Sequence, residues 1–270
     1  MTCRRGPGGG SPGCATRSSA EPGRPSPVSL IPFVHLDVDL GVAADGERID
    51  LSPADHHHLT TVLRLGSGAS VEVADGRGAS AAAVLVDGSI ELAGPISSRP
   101  RPRPQLVLAQ ALPKGRKLDE VLRQACELGV DEVRVLDSVR SVVRLDAGKL
   151  DRIHRRWEAV VRSACEQARR SYRPQILGPL PLERLGRDDE MLLVAHPGAP
   201  GLPTVAEAWT EAERLVLAVG PEGGFTDEEV ADAVAAGALA VGLGPSVLRT
   251  EHAGAAGLAV LAAGSGRWGS

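Results

Sequence analysis

The chain has 270 residues, enough for one large domain or two of ordinary size, and its hydrophobic content comes from Ala, Val and Leu rather than aromatic residues. Its four cysteines (Cys3, Cys14, Cys126 and Cys165) have no regular spacing, which argues against a disulfide framework or a zinc site. No apolar run approaches the roughly 20 residues that a membrane-spanning helix needs. We therefore expect a cytoplasmic protein that binds no metal.

The net charge of −4 conceals an uneven distribution along the chain. Residues 99–173 hold 18 of the 30 Lys and Arg side chains against 10 Asp and Glu, whereas the rest of the chain is strongly acidic. A basic middle suits contact with a phosphate backbone. A solvated helix face with many ion pairs would give the same composition, and the charges alone do not separate the two interpretations.

Residues 1–28 are dominated by Gly, Pro, Ser and Arg and offer almost nothing to bury. This composition predicts a disordered extension. No apolar segment follows the arginines, so a secretory signal is not predicted. We assign the extension no function.

The segment 29–97 contains short strands and turns. Residues 70–74 alternate between apolar and polar side chains, a turn follows, and residues 81–86 return as a second strand. Residues 53–64 have helical spacing instead. The pattern predicts a small domain resembling a β-barrel, with one short helix.

Residues 98–104 form a basic linker in which proline alternates, and we place the domain boundary there. From 105 to 265, strand-type and helix-type segments alternate, which predicts an α/β domain with a parallel sheet and crossover helices. The expected strands are 105–112, 132–136, 191–195, 215–219 and 239–243, and the expected helices are 118–128, 149–170, 227–236 and 251–263. In the second of these helices we expect an inward face of Trp157, Val160, Val161 and Ala164, and an outward face of Arg152, Arg155, Arg156 and Arg162.

Two glycine-bearing turns follow the last strand-type segments, at 217–226 and 241–253. Each leads into a helix, and Thr226 with Glu229 forms a capping-box pattern. Glycine leaves the backbone open to a ligand, and ligands bind at the carboxyl ends of parallel strands. Neither turn has the Lys-Ser or Lys-Thr pair of a phosphate loop or the glycine spacing of a dinucleotide site, so ATP and NAD are not expected. The alternative is that these glycines and prolines merely end the strands.

The segments 220–229 (GPEGGFTDEE) and 243–253 (LGPSVLRTEHA) resemble the C-terminal signature of the RsmE-type bacterial 16S rRNA (uracil-N3) methyltransferases, a family of the SPOUT superfamily. Shorter matching segments extend the resemblance over about residues 30–263, at 57–64, 114–117, 127–130, 156–157 and 166–170. The resemblance implies a SPOUT-type, trefoil-knotted parallel-sheet domain preceded by a PUA-like β-barrel domain that grips RNA. It also implies a homodimer.

The resemblance further implies three loops that bind S-adenosyl-L-methionine as co-substrate, with backbone amides holding the adenine. Matched residue by residue, the cofactor-binding set is His196, Pro197, Gly220, Pro221, Glu222, Gly223, Gly224, Leu243, Gly244, Leu248 and Thr250. The candidates for RNA binding are His58, Arg64, Lys114, Arg140 and Arg170.

Arg249 is the candidate catalytic residue. Loss of the N3 proton spreads negative charge over the uracil carbonyl oxygens, and a nearby guanidinium would stabilise that charge. Alternatively, Arg249 caps a helix or pairs with Glu251. Glu222 and Glu251 lie in the two turns, but either carboxylate could instead be structural, so no general base is assigned.

The resemblance implies methylation of N3 of a uridine in the decoding region of 16S rRNA, on the 30S subunit. Two alternatives remain open from the sequence. One is a SPOUT methyltransferase that acts on another RNA position. The other is a non-catalytic RNA-binding factor for ribosome assembly.

Overall fold

The computed structural model describes residues 31–141, 147–186, 189–209 and 212–268. The predicted disordered extension, residues 1–28, lies outside the described residues. From Ile31 onward the chain forms one compact unit that contains two sheets.

The first sheet is mixed and has six short strands. They are β1 (Phe33–His35), β2 (Arg48–Asp50), β3 (Ser70–Ala74), β4 (Ala79–Val86), β5 (Ser89–Leu92) and β6 (Ser97–Ser98). The order is β1-β3-β4-β5-β2, with β6 beside β4, and β1 runs parallel to β3 while the other pairs are antiparallel. The expected helix is α1 (Pro53–His57), which continues as a π-helical turn over His58–Val62.

The second sheet has six strands, all parallel, in the order β12-β10-β11-β7-β8-β9. They are β7 (Gln105–Ala111), β8 (Glu132–Asp137), β9 (Gln175–Pro181), β10 (Glu190–Ala195), β11 (Arg214–Val219) and β12 (Leu239–Val241). The helices are α2 (Lys117–Glu127), α3 (Ala147–Gln167), α4 (Asp227–Ala235) and α5 (Thr250–Gly264). The predicted parallel sheet with crossover helices is confirmed.

Helices cover both faces of this parallel sheet. Leu106 and Leu108 face a core shared with α2, α3 and α5, whereas Val107 and Ala109 face a smaller core that includes Val230 of α4. Because side chains alternate along a strand and helices cover both faces of the sheet, residues 106–109 of β7 form a continuous apolar run. All of its residues from 106 to 111 are buried.

Strand β9 was not expected from the sequence. Its residues include Gly178, Pro179 and Pro181, which are typical of a turn. The strand lies at the edge of the sheet beside β8, where missing backbone donors are tolerated. Because of these prolines, the hydrophobic pattern of the sequence did not predict the strand.

Arg162 was expected to point outward from α3, and that prediction is wrong. Its guanidinium pairs with Glu166 at 3.2 Å and with Asp55 at 2.6 Å, and it also donates to the carbonyl oxygen of His35. Asp55 and His35 belong to the first sheet and its helix, so Arg162 joins the two parts of the fold. A guanidinium with several acceptors can be partly buried at little net cost.

His35, whose carbonyl oxygen accepts from Arg162, is completely buried. Its backbone N–H donates to Glu166 at 3.0 Å, and its Nε2 lies 2.8 Å from the carbonyl oxygen of Arg170. Burial lowers the pKa of His35 to about 4, and the charges of Arg173 and Arg162 act in the same direction. The ring is therefore neutral in the folded protein near pH 7.

We expect this histidine to make folding stability depend on pH. The unfolded chain binds the proton near its ordinary pKa of 6.5, before the folded chain does. The stability that a neutral His35 contributes is complete above pH 6.5 and is lost as the pH falls towards 4, by up to ~3 kcal/mol. Denaturant unfolding of the unaltered protein and of His35→Gln, which can still donate to Arg170, measures this contribution. The variant should lose less stability than the unaltered protein between pH 6.5 and 4.5, and parallel losses would contradict the prediction.

Candidate active site

A cavity of about 640 Å³ opens at the carboxyl ends of β10, β11 and β12. The segments that follow these strands form most of its wall, namely 195–198, 219–225 and 242–251. Lys117, the first residue of α2, and Arg140, in the connection after β8, also line it. The volume is that of a site for a small organic ligand, and the place in the sheet is where parallel α/β folds bind such ligands.

The structure brings the expected cofactor residues together. Every residue of that set lines the cavity, as do Arg249 and Arg140: His196, Pro197, Gly220, Pro221, Glu222, Gly223, Gly224, Leu243, Gly244, Leu248 and Thr250. The two glycine-bearing turns, separate in the sequence, therefore form two sides of one site. His58, Arg64, Lys114 and Arg170 are not among the lining residues.

Glycine is required at the cavity because backbone segments lie against one another there. A Cβ atom on Gly220 would lie 2.8 Å from the amide nitrogen of Phe225 and 2.9 Å from the carbonyl carbon of Gly224. A Cβ atom on Gly242 would lie 2.6 Å from the carbonyl oxygen of Ala199. All three distances are far below ordinary contact, so the absence of a side chain at Gly220 and Gly242 is what allows these backbone segments to meet.

A chain of hydrogen bonds connects three segments behind the cavity wall. The Thr250 hydroxyl donates to the Gly220 carbonyl at 2.7 Å and accepts from the Gln110 side-chain amide at 2.9 Å. Gln110 is fully buried at the end of β7, and Thr250 begins α5. Thr250 therefore fixes α5 against the turn that follows β11.

The capping box predicted at the start of α4 is confirmed. Glu229 donates its amide to the Thr226 hydroxyl at 3.0 Å and accepts from the Thr226 amide at 2.7 Å. The other oxygen of Glu229 accepts the amide of Val139 at 3.0 Å. The cap thus also anchors the connection after β8 beside the cavity.

Lys117 is a cavity residue that sequence reasoning did not select. Its ammonium lies 3.2 Å from Glu222 Oε1 and 3.1 Å from Glu251 Oε2. Hydrogen bonds to Glu251 and Glu222 raise the pKa of Lys117. One feature of the sequence could have identified Lys117 as a candidate. It lies in the first turn of α2, where the helix dipole favours acidic side chains over a lysine.

The two carboxylates that face Lys117 are held in the ionised form. Desolvation alone would raise the pKa of Glu222, but its own amide, the amide of Lys114 and the ammonium of Lys117 lower it. The pKa of Glu251 is lowered first by its own backbone amide and then by Lys117. Both are therefore weak proton acceptors.

Arg249 has an exposed side chain at the cavity. Across the described parts of the chain its guanidinium has neither a hydrogen bond nor an ion pair. Its backbone occupies the N-cap position of α5, and the side chain makes no capping bond. Glu251 pairs with Lys117 instead, so the alternative in which Arg249 pairs with Glu251 does not hold.

Three of the RNA-binding candidates make internal contacts. Arg140 donates to the Gly223 and Phe225 carbonyls at 2.7 and 3.2 Å, and so supports the turn after β11. Arg170 donates to the Cys126 and Val130 carbonyls at 2.9 and 2.8 Å, at the end of α2. The ring of His58 lies 3.4 Å from Glu166. These contacts give each residue a structural role, and contact with RNA stays a prediction.

Arg64 and Lys114 remain exposed. Arg64 has a φ of 56°, unusual for a residue other than glycine, and follows the π-helical turn of the first sheet's helix. Lys114 contributes its backbone amide to Glu222 at 3.1 Å, so its backbone lies beside a residue that lines the cavity. These two side chains are the freer candidates for RNA contact.

Among residues 31–141, 147–186, 189–209 and 212–268, no three His, Cys, Asp or Glu side chains converge in a way that could hold a metal ion. None of the helices described there has the length and apolar character needed to cross a membrane.

The chain is similar to known RNA methyltransferases in sequence and in fold. Residues 99–262 match the model of an RNA methyltransferase domain. The chain is 34% identical to ribosomal RNA small subunit methyltransferase E of Mycobacterium tuberculosis, over 89% of this chain and 94% of that protein. It is 33% identical to the Synechocystis protein of the same name, over 76% and 69%. The crystal structure of ribosomal RNA small subunit methyltransferase E from Neisseria gonorrhoeae, bound to S-adenosyl methionine, superposes with a TM-score of 0.76 at 26% identity, covering 86% of this chain and 97% of that one.

Proposed function

Because this chain belongs to the family of ribosomal RNA small subunit methyltransferase E, we propose that it methylates N3 of a uridine in 16S rRNA, with S-adenosyl-L-methionine as co-substrate. We place that uridine in the decoding region of the 30S subunit. The observation that carries the proposal is the convergence of the matched cofactor residues and Arg249 on one cavity.

The cavity fits the co-substrate in size and in character. Its volume of about 640 Å³ suits a nucleoside with an amino-acid tail. The turns at Gly220–Gly224 and Leu243–Thr250 line the cavity and would hold the adenine ring through backbone amides, and His196 and Pro197 add the third loop. When bound, S-adenosylmethionine supplies a methyl group already activated on a sulfonium.

Arg249 supplies the electrostatic part of the reaction. Its guanidinium is exposed and has no partner among the described residues, so it is available to a base that enters the cavity. Negative charge grows on the uracil carbonyls as N3 loses its proton, and the Arg249 guanidinium beside them would stabilise that charge and lower the barrier. Glu222 and Glu251 are ionised and paired with Lys117, so we assign neither as the proton acceptor.

The remaining architecture is proposed on the same family membership. Residues 29–97 form a PUA-like, barrel-type RNA-binding domain, 98–104 a linker, and 105–265 a SPOUT domain with a trefoil knot. The mixed first sheet and the exposed Arg64 support the first assignment, and the six-stranded parallel sheet supports the last. We further propose a cytoplasmic homodimer in which the partner completes each site.

The test is incubation with methyl-labelled S-adenosylmethionine and small subunits from a strain that lacks this gene, followed by nuclease digestion and mass spectrometry. We expect a single 3-methyluridine in 16S rRNA. Label at another position would replace the substrate assignment. Absence of label together with absence of cofactor binding would favour a non-catalytic RNA-binding factor.

A further inference from the structure

One ammonium group joins two walls of the cavity. Lys117 Nζ contacts Glu222, in the turn after β11, and Glu251, in the first turn of α5. Glu222 Oε1 also accepts the amide of Lys114, 3.1 Å away, in the connection between β7 and α2. Three segments distant in sequence therefore meet at this nitrogen and its two carboxylates.

The position of Lys117 runs against local helix energetics. It is the first residue of α2, where the unpaired amides of the helix favour negative charge. The side chain is only partly exposed, at 38%, and Glu251 is 12% exposed. A residue that breaks a local rule and is held by distant partners is typical of a functional site.

The arrangement matters because two carboxylates share one cation. Both approach the same nitrogen to about 3 Å, so without that nitrogen they would face each other as like charges. Separation of Glu222 from Glu251 would pull the turn after β11 away from α5. The Thr250–Gly220 hydrogen bond spans the same two segments and would be strained by that movement.

We propose that Lys117 is a positioning residue, whose ammonium holds the turn at Gly220–Gly224 against the start of α5 in the geometry that binds the co-substrate. The inference rests on the proposed function, because it assigns Lys117 a role in that same cavity. Lys117 acts through Glu222 and Glu251 and takes no part in the chemical step.

The test is the affinity of the purified full-length protein for S-adenosylhomocysteine, measured by calorimetry without RNA. Lys117→Ala should raise Kd roughly tenfold or more, as expected when a partly buried charge pair loses one partner. Lys117→Arg, which keeps the charge, should recover most of the affinity. With saturating S-adenosylmethionine, kcat of Lys117→Ala should stay within about threefold of the unaltered protein, because the residue fixes the binding geometry and not the barrier. An unchanged Kd, or a fall in kcat without a change in Kd, would overturn the proposal.

A double-mutant cycle separates positioning from a general loss of stability. If Lys117 acts through the carboxylates, Lys117→Ala should weaken binding much less in a Glu222→Gln, Glu251→Gln background than in the unaltered protein. Additive effects would overturn the proposal. If Lys117→Ala fails to fold, the same binding measurements are made with Lys117→Gln, which removes the charge but loses less side-chain packing.

The matched control is Arg123→Ala, an exposed cation of the same helix that pairs with Glu120 at 3.0 Å. Its Kd should stay within about twofold, since an exposed pair of this kind contributes little. The binding measurements distinguish a wrong role for Lys117 from a wrong proposed function. Binding by the unaltered protein with no effect of Lys117→Ala overturns only the role of Lys117, whereas no binding by the unaltered protein overturns the proposed function and this role with it.

Discussion

Replacing Arg249 with alanine is expected to lower kcat by roughly 10²- to 10³-fold, the usual cost of removing one group that stabilises a developing anion. The guanidinium lies exposed at the cavity and forms no internal bond in the described chain, so its loss should disturb neither the fold nor the turns that bind the cofactor. Kd for S-adenosylhomocysteine should therefore stay within about twofold. Single-turnover methylation of small subunits, with quantified 3-methyluridine, measures the rate.

Arg249→Lys serves as the comparison. It keeps a positive charge but loses the fork of donors that can meet a planar carbonyl, so an intermediate rate is expected. Arg123→Ala controls for loss of a cation elsewhere on the surface. A Kd that rises as steeply as kcat falls would contradict the assignment, because it would make Arg249 a cofactor-binding residue instead.

The positions of the cavity loops could be predicted from the sequence for a physical reason. In a parallel sheet every strand ends at the same edge, so a turn recognised after one apolar run lies near the turn after the next. Glycine and proline marked the turns at 217–226 and 241–253, and the structure places both on one cavity. The capping box at Thr226 could also be predicted, because it depends on residues only three positions apart.

Contacts between distant segments could not be predicted in this way. Arg140 and Arg170 read as candidates for phosphate contact because they are basic, but their donors meet backbone carbonyls that only the folded chain brings near. Lys117 was missed because its two partners lie more than a hundred positions away along the chain. Side-chain chemistry suggests what a residue can bind, whereas tertiary packing decides what it does bind.

The same internal contacts show that the cavity is preorganised by the protein. Thr250 connects Gly220 to Gln110, Arg140 holds the carbonyls of Gly223 and Phe225, and Lys117 connects Glu222 to Glu251. A wall fixed at so many points cannot readily move to admit an added side chain. Gly220 is one position in that wall where backbone segments approach too closely to leave room for a Cβ atom.

Replacing Gly220 with alanine is accordingly expected to weaken binding of S-adenosylhomocysteine by roughly 10- to 100-fold. The added Cβ would lie 2.8 Å from the amide nitrogen of Phe225 and within 3.0 Å of Gly224, and both obstacles are backbone. Relief requires the turn to shift, at the ~1–3 kcal/mol typical of overpacking, and the shift displaces residues that line the cavity. Calorimetric titration gives Kd, and thermal unfolding shows how much of the cost is global.

Gly201→Ala is the matched control, since Gly201 lies close to the same edge of the sheet and bridges to Gly242. A Cβ atom there meets nothing closer than 3.9 Å, so its Kd should stay within about twofold of the unaltered protein. Equal weakening by both alanines would show that the affinity follows general stability. Weakening by Gly220→Ala alone would mean that the close approach of the turn to its own backbone is what shapes the cofactor site.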